Sequence, residues 1–252
     1  MKEHQAAFRF YEELNDFLPP SQRRKTVVYE FSGRPGIKDP IEAIGVPHTE
    51  VDLIVVNGES VGFDYPLQHG DRVAVYPVFE SLDISPIVRL RDAPLRSTAF
   101  ILDVHLGRLA RLLRMLGIDV LYRNDYDDPE IICLALEEHR IILTRDRRML
   151  FNKRITHGHW LHSTDADEQA REVIERFDLA RQVRRFVRCP LCNGLLCSVP
   201  KQQIMDRLEP LTKRYYDVFY QCRGCAKIYW RGSHYDRIVD KLNGIVDSGP
   251  NC

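Results

Sequence analysis

Up to about residue 80, apolar and polar positions alternate as they do in half-buried β-strands. Segments 6–14 (AAFRFYEEL) and 26–32 (TVVYEFS) therefore predict two strands. After a Gly- and Pro-rich turn, Asp39 and Pro40 open a short predicted helix over IEAIG. Two further strands are predicted over VDLIVVNGE, which ends in an Asn-Gly turn, and over DRVAVYPVF. This element order is that of a β-grasp domain, which we assign to residues 1–82.

The pattern changes after a linker at residues 83–97, where Pro86, Pro94 and mixed charge mark a domain boundary. Short apolar runs then alternate with helical periods. The runs AFILD, IDVLY, RIILT and GHWLHS predict strands, and helices are predicted over GRLARLLRMLG, residues 129–139 and AREVIERF. The first of these helices should bury a stripe of Leu109, Leu112, Leu113 and Leu116. Such βαβα repetition predicts a parallel sheet covered by helices, over residues 98–184.

Acidic residues follow the predicted strands of this second domain. They are Asp103, Asp125 or Asp128, Asp146 and Asp165. The carboxyl ends of parallel strands share one edge of a sheet, where ligands bind. Carboxylates gathered there repel one another unless a divalent cation neutralises them. Because Mg²⁺ and Mn²⁺ prefer oxygen ligands and activate water at phosphodiesters, we expect a catalytic Mg²⁺ or Mn²⁺ here.

Each acid also has a structural interpretation. Asp128 and Asp165 stand at predicted helix starts, where N-capping is the common role of aspartate. Asp125 can equally be a loop residue. Asp103 and Asp146 follow apolar strands directly or within two residues, so they are the preferred metal ligands. The third ligand stays a choice between Asp125 and Asp128.

The chain carries 36 basic and 36 acidic residues, but they are unevenly distributed. Between Arg181 and Arg231 there are 11 Lys and Arg against 3 Asp and Glu, which favours a bound polyanion. Arg108 and Arg145 flank the predicted acidic edge and are candidate phosphate contacts. Arg114 is interpreted as part of a solvated helix face.

Four of the seven cysteines form two C-x-x-C pairs, which is the strongest local motif in the chain: Cys189, Cys192, Cys222 and Cys225. Four thiolates satisfy tetrahedral Zn²⁺ and leave no open position, so the predicted zinc is structural. We assign residues 185–240 to a four-cysteine zinc ribbon and 241–252 to a flexible tail. Aromatic residues interleave with basic ones along the ribbon, which suits single-stranded RNA or, equally, a small core. His234 is a candidate RNA contact.

Other classes are excluded by composition. No apolar run approaches the roughly 18 residues of a membrane helix, so no membrane association is expected. The charged start, MKEHQAAFRF, lacks the apolar centre of a signal peptide. Cysteines spaced for a metal favour a reducing compartment, and we expect a cytoplasmic protein.

Two resemblances follow from longer motifs. FILDVHLGRLARLLRMLGIDVLY and IILTRDRRML resemble the PIN-like ribonucleases of the Mut-seven C-terminal type, from about Ser97 to Asp240. This resemblance implies that Asp103 and Asp146 are active-site acids, that Asp125 or Asp128 is the third, and that a β-grasp module precedes the nuclease. VDLIVVNGESVGF and LQHGDRVAVYPV resemble ubiquitin-like sulfur carriers. Those act through a free Gly-Gly tail, which is replaced here by Pro77–Glu80, so a docking or scaffolding role is expected instead.

The sequence therefore predicts a multidomain α/β protein with a β-grasp domain, a PIN-like parallel α/β domain and a zinc ribbon. The preferred function is metal-dependent, endonucleolytic cleavage of RNA, leaving a 3′-hydroxyl and a 5′-phosphate. One alternative is a non-catalytic adaptor that binds RNA or ribosomes. Another is a protein whose ubiquitin-like domain docks a protein partner.

Overall fold

The computed structural model of the chain describes residues 4–77 and 98–247. The predicted linker at 83–97 and the last residues of the predicted tail, 248–252, lie outside the described residues. The strands are β1 (His4–Phe10), β2 (Thr26–Phe31), β3 (Val51–Val56), β4 (Glu59–Val61), β5 (Arg72–Pro77), β6 (Ala99–Leu102), β7 (Asp119–Leu121), β8 (Ile141–Thr144), β9 (Gly158–Trp160), β10 (Leu196–Val199), β11 (Phe219–Cys222) and β12 (Ile228–Trp230).

The α-helices are α1 (Lys38–Ile44), α2 (Gly107–Met115), α3 (Asp128–Glu137), α4 (Arg147–Leu150), α5 (Ala166–Arg176), α6 (Pro210–Tyr215) and α7 (Tyr235–Val246). Short 3-10 helices cover Glu12–Phe17, His48–Glu50, Val104–Leu106, Ala180–Gln182 and Lys201–Arg207. No helix among the described residues combines the length and apolar character needed to cross a membrane.

These elements form two compact units. The first contains the described residues up to Pro77 together with Thr144–Trp160, and the second contains Thr98–Leu143 and the described chain from Leu161 onward. Thus α4 and β9, which follow β8 in sequence, are grouped with the N-terminal strands, while β9 is also the edge strand of the four-stranded sheet of order β7-β6-β8-β9, as the sequence predicted.

The first unit is built on a five-stranded sheet of order β2-β1-β5-β3-β4. β1 and β5 are parallel neighbours at its centre, and the other pairs are antiparallel. Alternate residues of β1 point into the core, so that Ala6, Phe8 and Phe10 are buried. Asn57 and Gly58 both have positive φ, as the predicted two-residue hairpin turn requires. The β-grasp prediction is confirmed.

The second unit contains a parallel sheet in which β6 lies between β7 and β8. β6 and β8 pair in a regular register that ends with Leu102 opposite Leu143. The leucine stripe of α2 is buried as predicted, and α2 packs against α5. Gly117 ends this helix region at φ 92°, and a Cβ atom there would lie 2.2 Å from the Arg184 carbonyl oxygen.

The C-terminal part of the second unit has a three-stranded antiparallel sheet, β10-β11-β12. Its small core is formed by Ile204, Leu208 and Phe219. The flexible tail predicted from residue 241 is wrong for its first part, because α7 continues to Val246. Leu242 and Ile245 are buried and hold this last stretch in place. The predicted fold class, β-grasp plus parallel α/β sheet plus four-cysteine C-terminal segment, is confirmed.

Candidate functional sites

Asp103 lies directly after the central strand β6 and is 6% exposed. Its backbone N–H donates to the Leu143 carbonyl oxygen at 3.1 Å, which extends the β6–β8 ladder by one residue. Its own carbonyl oxygen accepts from the Leu106 N–H at 2.9 Å, so the chain turns into a 3-10 helix at this point. The result is a buried acidic side chain at the carboxyl end of a central parallel strand.

Asp146 follows β8 by two residues and is exposed. Its N–H donates to the Thr144 hydroxyl oxygen at 2.8 Å, and its Oδ1 accepts from the Arg148 N–H at 2.8 Å. The second bond makes Asp146 the N-cap of the one-turn helix α4. The capping contact fixes the position of this carboxylate on its loop.

The two candidates for the third acid differ in their surroundings. Asp125 is exposed and forms an ion pair with Arg123 at 2.6 Å, and this hydrogen bond lowers the pKa of Asp125. Asp128 is the first residue of α3, but the N-cap is Asp127. The Asp127 carboxylate accepts from the Glu130 N–H, and the Glu130 carboxylate accepts from the Asp127 N–H. The N-cap interpretation of Asp128 is therefore wrong, although the D-x-x-E capping box was readable from the sequence.

Asp165 is the N-cap of α5, accepting from the N–H groups of Glu168 and Asp167. These bonds, the one from Glu168 first, lower the pKa of Asp165. The capping interpretation of this residue is confirmed. Within the described part of the second unit, no three carboxylates of Asp103, Asp125, Asp128 and Asp165 lie within 4.8 Å of one another.

The basic candidates fall in different places. Arg108 on α2, Arg145 after β8 and His234 before α7 are all exposed. The prediction that Arg114 lies on a solvated face is wrong, because its side chain is 3% exposed. Its guanidinium donates to the carbonyl oxygens of Val120, at 3.0 Å, and Leu191, at 2.8 Å. Leu191 lies inside the first cysteine pair, which is a partner that helical periodicity could not reveal.

The four cysteines converge as predicted. All four Sγ atoms lie within 4.8 Å of one another, with 3.7 Å between Cys189 and Cys225 and 3.3 Å between Cys192 and Cys222. Tetrahedral coordination at a Zn–S distance of about 2.3 Å requires sulfur separations of about 3.8 Å, so the cluster has the size for one zinc ion. A Cβ atom on Gly194 would lie 2.8 Å from the Cys222 sulfur, which explains the glycine.

The protonation of these thiols also fits a cation. Burial opposes ionisation of Cys189, but hydrogen bonds led by that from the Tyr229 hydroxyl, at 2.9 Å, lower its pKa to about 7. Burial raises the pKa of Cys192 to about 12. Thiolates this close together repel one another, and a bound cation would compensate that charge.

Asn193 forms a second contact, besides Arg114, between the cysteine cluster and strand β7. The Asn193 side chain, next to Cys192, accepts from the Val120 N–H at 3.2 Å and donates to the Asp119 carboxylate at 2.9 Å. Asp119 is also paired with Arg140 and Arg188, at 2.7 and 2.8 Å. Burial opposes ionisation of Asp119, but the bonds from Arg140 and Asn193 outweigh it and lower the pKa.

A groove of about 830 Å³ lies beside the three-stranded sheet, within the second unit. Its aromatic lining comprises Phe186, Tyr216, Tyr220, Tyr229, Trp230 and Tyr235. Its basic lining comprises Arg185, Arg188, Lys227, Arg231 and His234. Trp230 is 39% exposed, whereas Phe219 on the neighbouring strand is buried in the small core. Some aromatic residues of the ribbon therefore fill the small core and others line the groove, so both interpretations of the sequence apply in part.

The family model for the Mut7-C RNAse domain matches residues 98–242. The chain belongs to the Mut7-C RNAse domain family. The model for the Mut7-C ubiquitin domain matches residues 3–83, so the predicted pairing of the two modules is confirmed. Membership in the Mut7-C family supports a nuclease or hydrolase role, and its matched region includes both the parallel sheet and the four cysteines.

Among solved structures, the chain is similar to two of small archaeal modifier protein 1 from Haloferax volcanii, each with 16% sequence identity and a TM-score of 0.25. The matches cover 30% and 31% of this chain and 99% of the modifier protein. No curated protein matches the chain.

Proposed function

We propose that this Mut7-C protein is a metal-dependent endoribonuclease. The observation that carries the proposal is the buried Asp103 side chain at the carboxyl end of β6, in a segment that matches the Mut7-C RNAse domain. β8, which precedes Asp146, is the parallel neighbour of β6. Ligands of open parallel sheets bind at this end of the strands.

Asp103 and Asp146, with Asp125 or Asp128 as the third acid, would hold Mg²⁺ or Mn²⁺. Oxygen donors suit these hard cations, and a cation offsets the repulsion between carboxylates that share one site. When bound, the ion activates water and stabilises the leaving oxygen of the phosphodiester, giving a 3′-hydroxyl and a 5′-phosphate. Arg108 and Arg145 are the proposed phosphate contacts beside these acids.

The RNA itself is held, in this proposal, by the aromatic and basic groove beside the zinc ribbon. Exposed Trp230 offers a face for base stacking, and Arg231, Lys227 and His234 offer charge to the backbone. Arg231 lies over the Tyr235 ring at 5.1 Å, so cation and aromatic already share one surface. The zinc is structural, since its four thiolates leave no open position. A cytoplasmic location, where thiols stay reduced, remains our prediction.

The test is a comparison of Asp103→Asn and Asp146→Asn with the exposed control Asp64→Asn. We expect both acid variants to lose Mn²⁺ affinity and to cleave RNA on the order of 100-fold more slowly, with RNA binding retained. Asp64→Asn should behave as the parent. Unchanged Mn²⁺ binding and cleavage in both variants would remove the nuclease proposal.

The non-catalytic adaptor has one observation in its favour, because the described contacts of Asp125 and Asp165 are an ion pair and a helix cap. An adaptor predicts tight RNA binding, no cleavage with Mg²⁺ or Mn²⁺, and no effect of Asp103→Asn on either. The same assay, read for binding and cleavage together, therefore separates the two functions. Docking of a protein partner on the ubiquitin-like domain is tested on the full chain by recovery of partners with the parent and with Val28→Asp, because Val28 on β2 is 61% exposed.

A further inference from the structure

Residues 144–160, the segment that carries Asp146, are grouped with the β-grasp sheet in the first unit, although their strand β9 is also the edge strand of the β7-β6-β8-β9 sheet. Arg147, the neighbour of Asp146, makes the first of three contacts between this segment and the β-grasp domain. Its guanidinium carbon lies 3.8 Å from the centroid of the Trp160 ring and 5.1 Å from that of Phe17. Its Nη2 donates to the Asp16 carbonyl oxygen at 2.8 Å. Arg147 therefore links the Asp146 turn to the 3-10 helix that follows β1.

Glu50 forms a second link. It is 1% exposed and lies at the end of the 3-10 helix that leads into β3. Its Oε1 accepts from the Trp160 N–H at 2.6 Å, and its Oε2 lies 3.2 Å from the His159 Nδ1. A buried carboxylate is strongly destabilising without hydrogen bonds. Here residues 159 and 160 supply them, although 109 positions separate Glu50 from His159 in the sequence.

His48 forms a third link and is 7% exposed. Its Nε2–H donates to the Ile155 carbonyl oxygen at 2.8 Å, while its Nδ1 lies 2.6 Å from a Glu42 carboxylate oxygen. Ile155 is buried, and Trp160 packs against the β-grasp core, with its ring 5.3 Å from that of Phe17. The segment is therefore held by three polar contacts, those of Arg147, Glu50 and His48. Its apolar residues Ile155 and Trp160 are packed as well.

We propose that the ubiquitin-like domain is an intramolecular brace, which fixes residues 144–160 and thereby positions Asp146. Arg147, Glu50 and His48 are its positioning residues. The catalytic part of this inference rests on the proposed function, whereas the bracing part does not.

The bracing part is tested by hydrogen exchange on the full chain. Arg147→Ala removes the ring contacts and the bond to Asp16, so we expect amide exchange in residues 144–160 to rise about tenfold. Exchange in Thr98–Leu143 should stay within about twofold, and it serves as the internal reference for folding. Arg148→Ala is the matched control, because Arg148 is an exposed neighbour on the same helix turn. Arg147→Lys should restore only part of the protection.

Glu50→Gln is the second variant. It keeps an oxygen for the Trp160 N–H but loses the charge beside His159, so we expect a smaller rise in exchange, confined to residues 158–160. Unchanged exchange in residues 144–160 for both Arg147→Ala and Glu50→Gln would overturn the brace. So would an equal rise in Thr98–Leu143, because the effect would then be general destabilisation.

The catalytic part is tested by RNA cleavage at saturating Mn²⁺. Arg147→Ala should lower kcat about tenfold while KM changes less than about twofold, with partial recovery in Arg147→Lys. A KM effect alone would overturn the positioning role. If the parent protein cleaves no RNA, the proposed function fails, but the exchange measurement still decides whether the brace exists.

Discussion

Two arginines anchor two different modules of this chain, and they do so in different ways. Arg114 is buried and donates to carbonyl oxygens of β7 and of the first cysteine pair. Arg147 lies against two aromatic rings and donates to a single carbonyl oxygen of the β-grasp domain. The Arg114 acceptor at Leu191 is placed by the cysteines on either side of it, whereas the acceptor for Arg147 is placed by an apolar core. Only the first anchor should depend on a metal.

Removing the proposed zinc should therefore affect only the first anchor, and we expect this effect to be the largest. Ligand loss in a four-thiolate site costs several kcal/mol, because metal binding supplies much of the local folding free energy. We expect chelation, or Cys222→Ser, to raise amide exchange over residues 185–235 and in β7, but not in residues 144–160. The measurement is hydrogen exchange alongside the zinc content per chain.

The control for zinc removal is Cys197→Ser, since Cys197 is not part of the cluster. It should keep one zinc per chain and the parent exchange pattern. If chelation raised amide exchange in residues 144–160 as strongly as in residues 185–235, the two anchors would share one source of stability, and the Arg147 anchor would depend on the metal as well.

Arg114→Ala should have the next largest effect. It leaves carbonyl oxygens at Val120, Tyr122 and Leu191 without a buried donor, which costs about 3 kcal/mol in the free energy of unfolding. Arg111→Ala, on the exposed face of the same helix, should change it by less than about 0.5 kcal/mol. Chemical denaturation of both variants checks this pair. If both variants lowered the free energy of unfolding equally, Arg114 would contribute no more than a solvent-exposed arginine, as the sequence had predicted.

The sequence predicted much of the fold because periodicity and turn chemistry are local. The alternation in β1, the leucine stripe of α2 and the two C-x-x-C pairs each occupy a short window, and each formed as expected. The D-x-x-E capping box at Asp127 is equally local, and it places the N-cap of α3 one residue before the predicted position.

The missed features are long-range contacts of arginines. Arg114 meets Leu191 at a separation of 77 residues, and Arg147 meets Asp16 at 131. Helical periodicity specifies which face of a helix a residue occupies, but not what covers that face. Periodicity therefore predicted a solvent-exposed Arg114 on α2, although the folded chain buries this side chain. The grouping of residues 144–160 with the β-grasp sheet could not be predicted for the same reason.

Acid pH should have the smallest effect, and it should act on the brace through His48. Burial lowers the pKa of His48 below its usual 6.5 and the Lys38 charge lowers it further, although the Ile155 carbonyl and Glu42 partly offset this. The unfolded chain then binds the proton more readily than the folded one. The stability linked to this lowered pKa is complete above about pH 6.5 and is lost as pH falls through the lower, folded-state value.

Amide exchange in residues 144–160, measured from pH 7 to 5 and corrected for the intrinsic exchange rates, should therefore rise as the pH falls. His48→Gln keeps a side-chain N–H for the Ile155 carbonyl oxygen but cannot be protonated, so it should flatten this dependence. His4→Gln, which alters a histidine on β1 that pairs with Phe31 of β2, should not. A pH profile that His48→Gln leaves unchanged would assign the sensitivity to another group, with the His159–Glu50 pair the next to vary because it lies in the same anchor set.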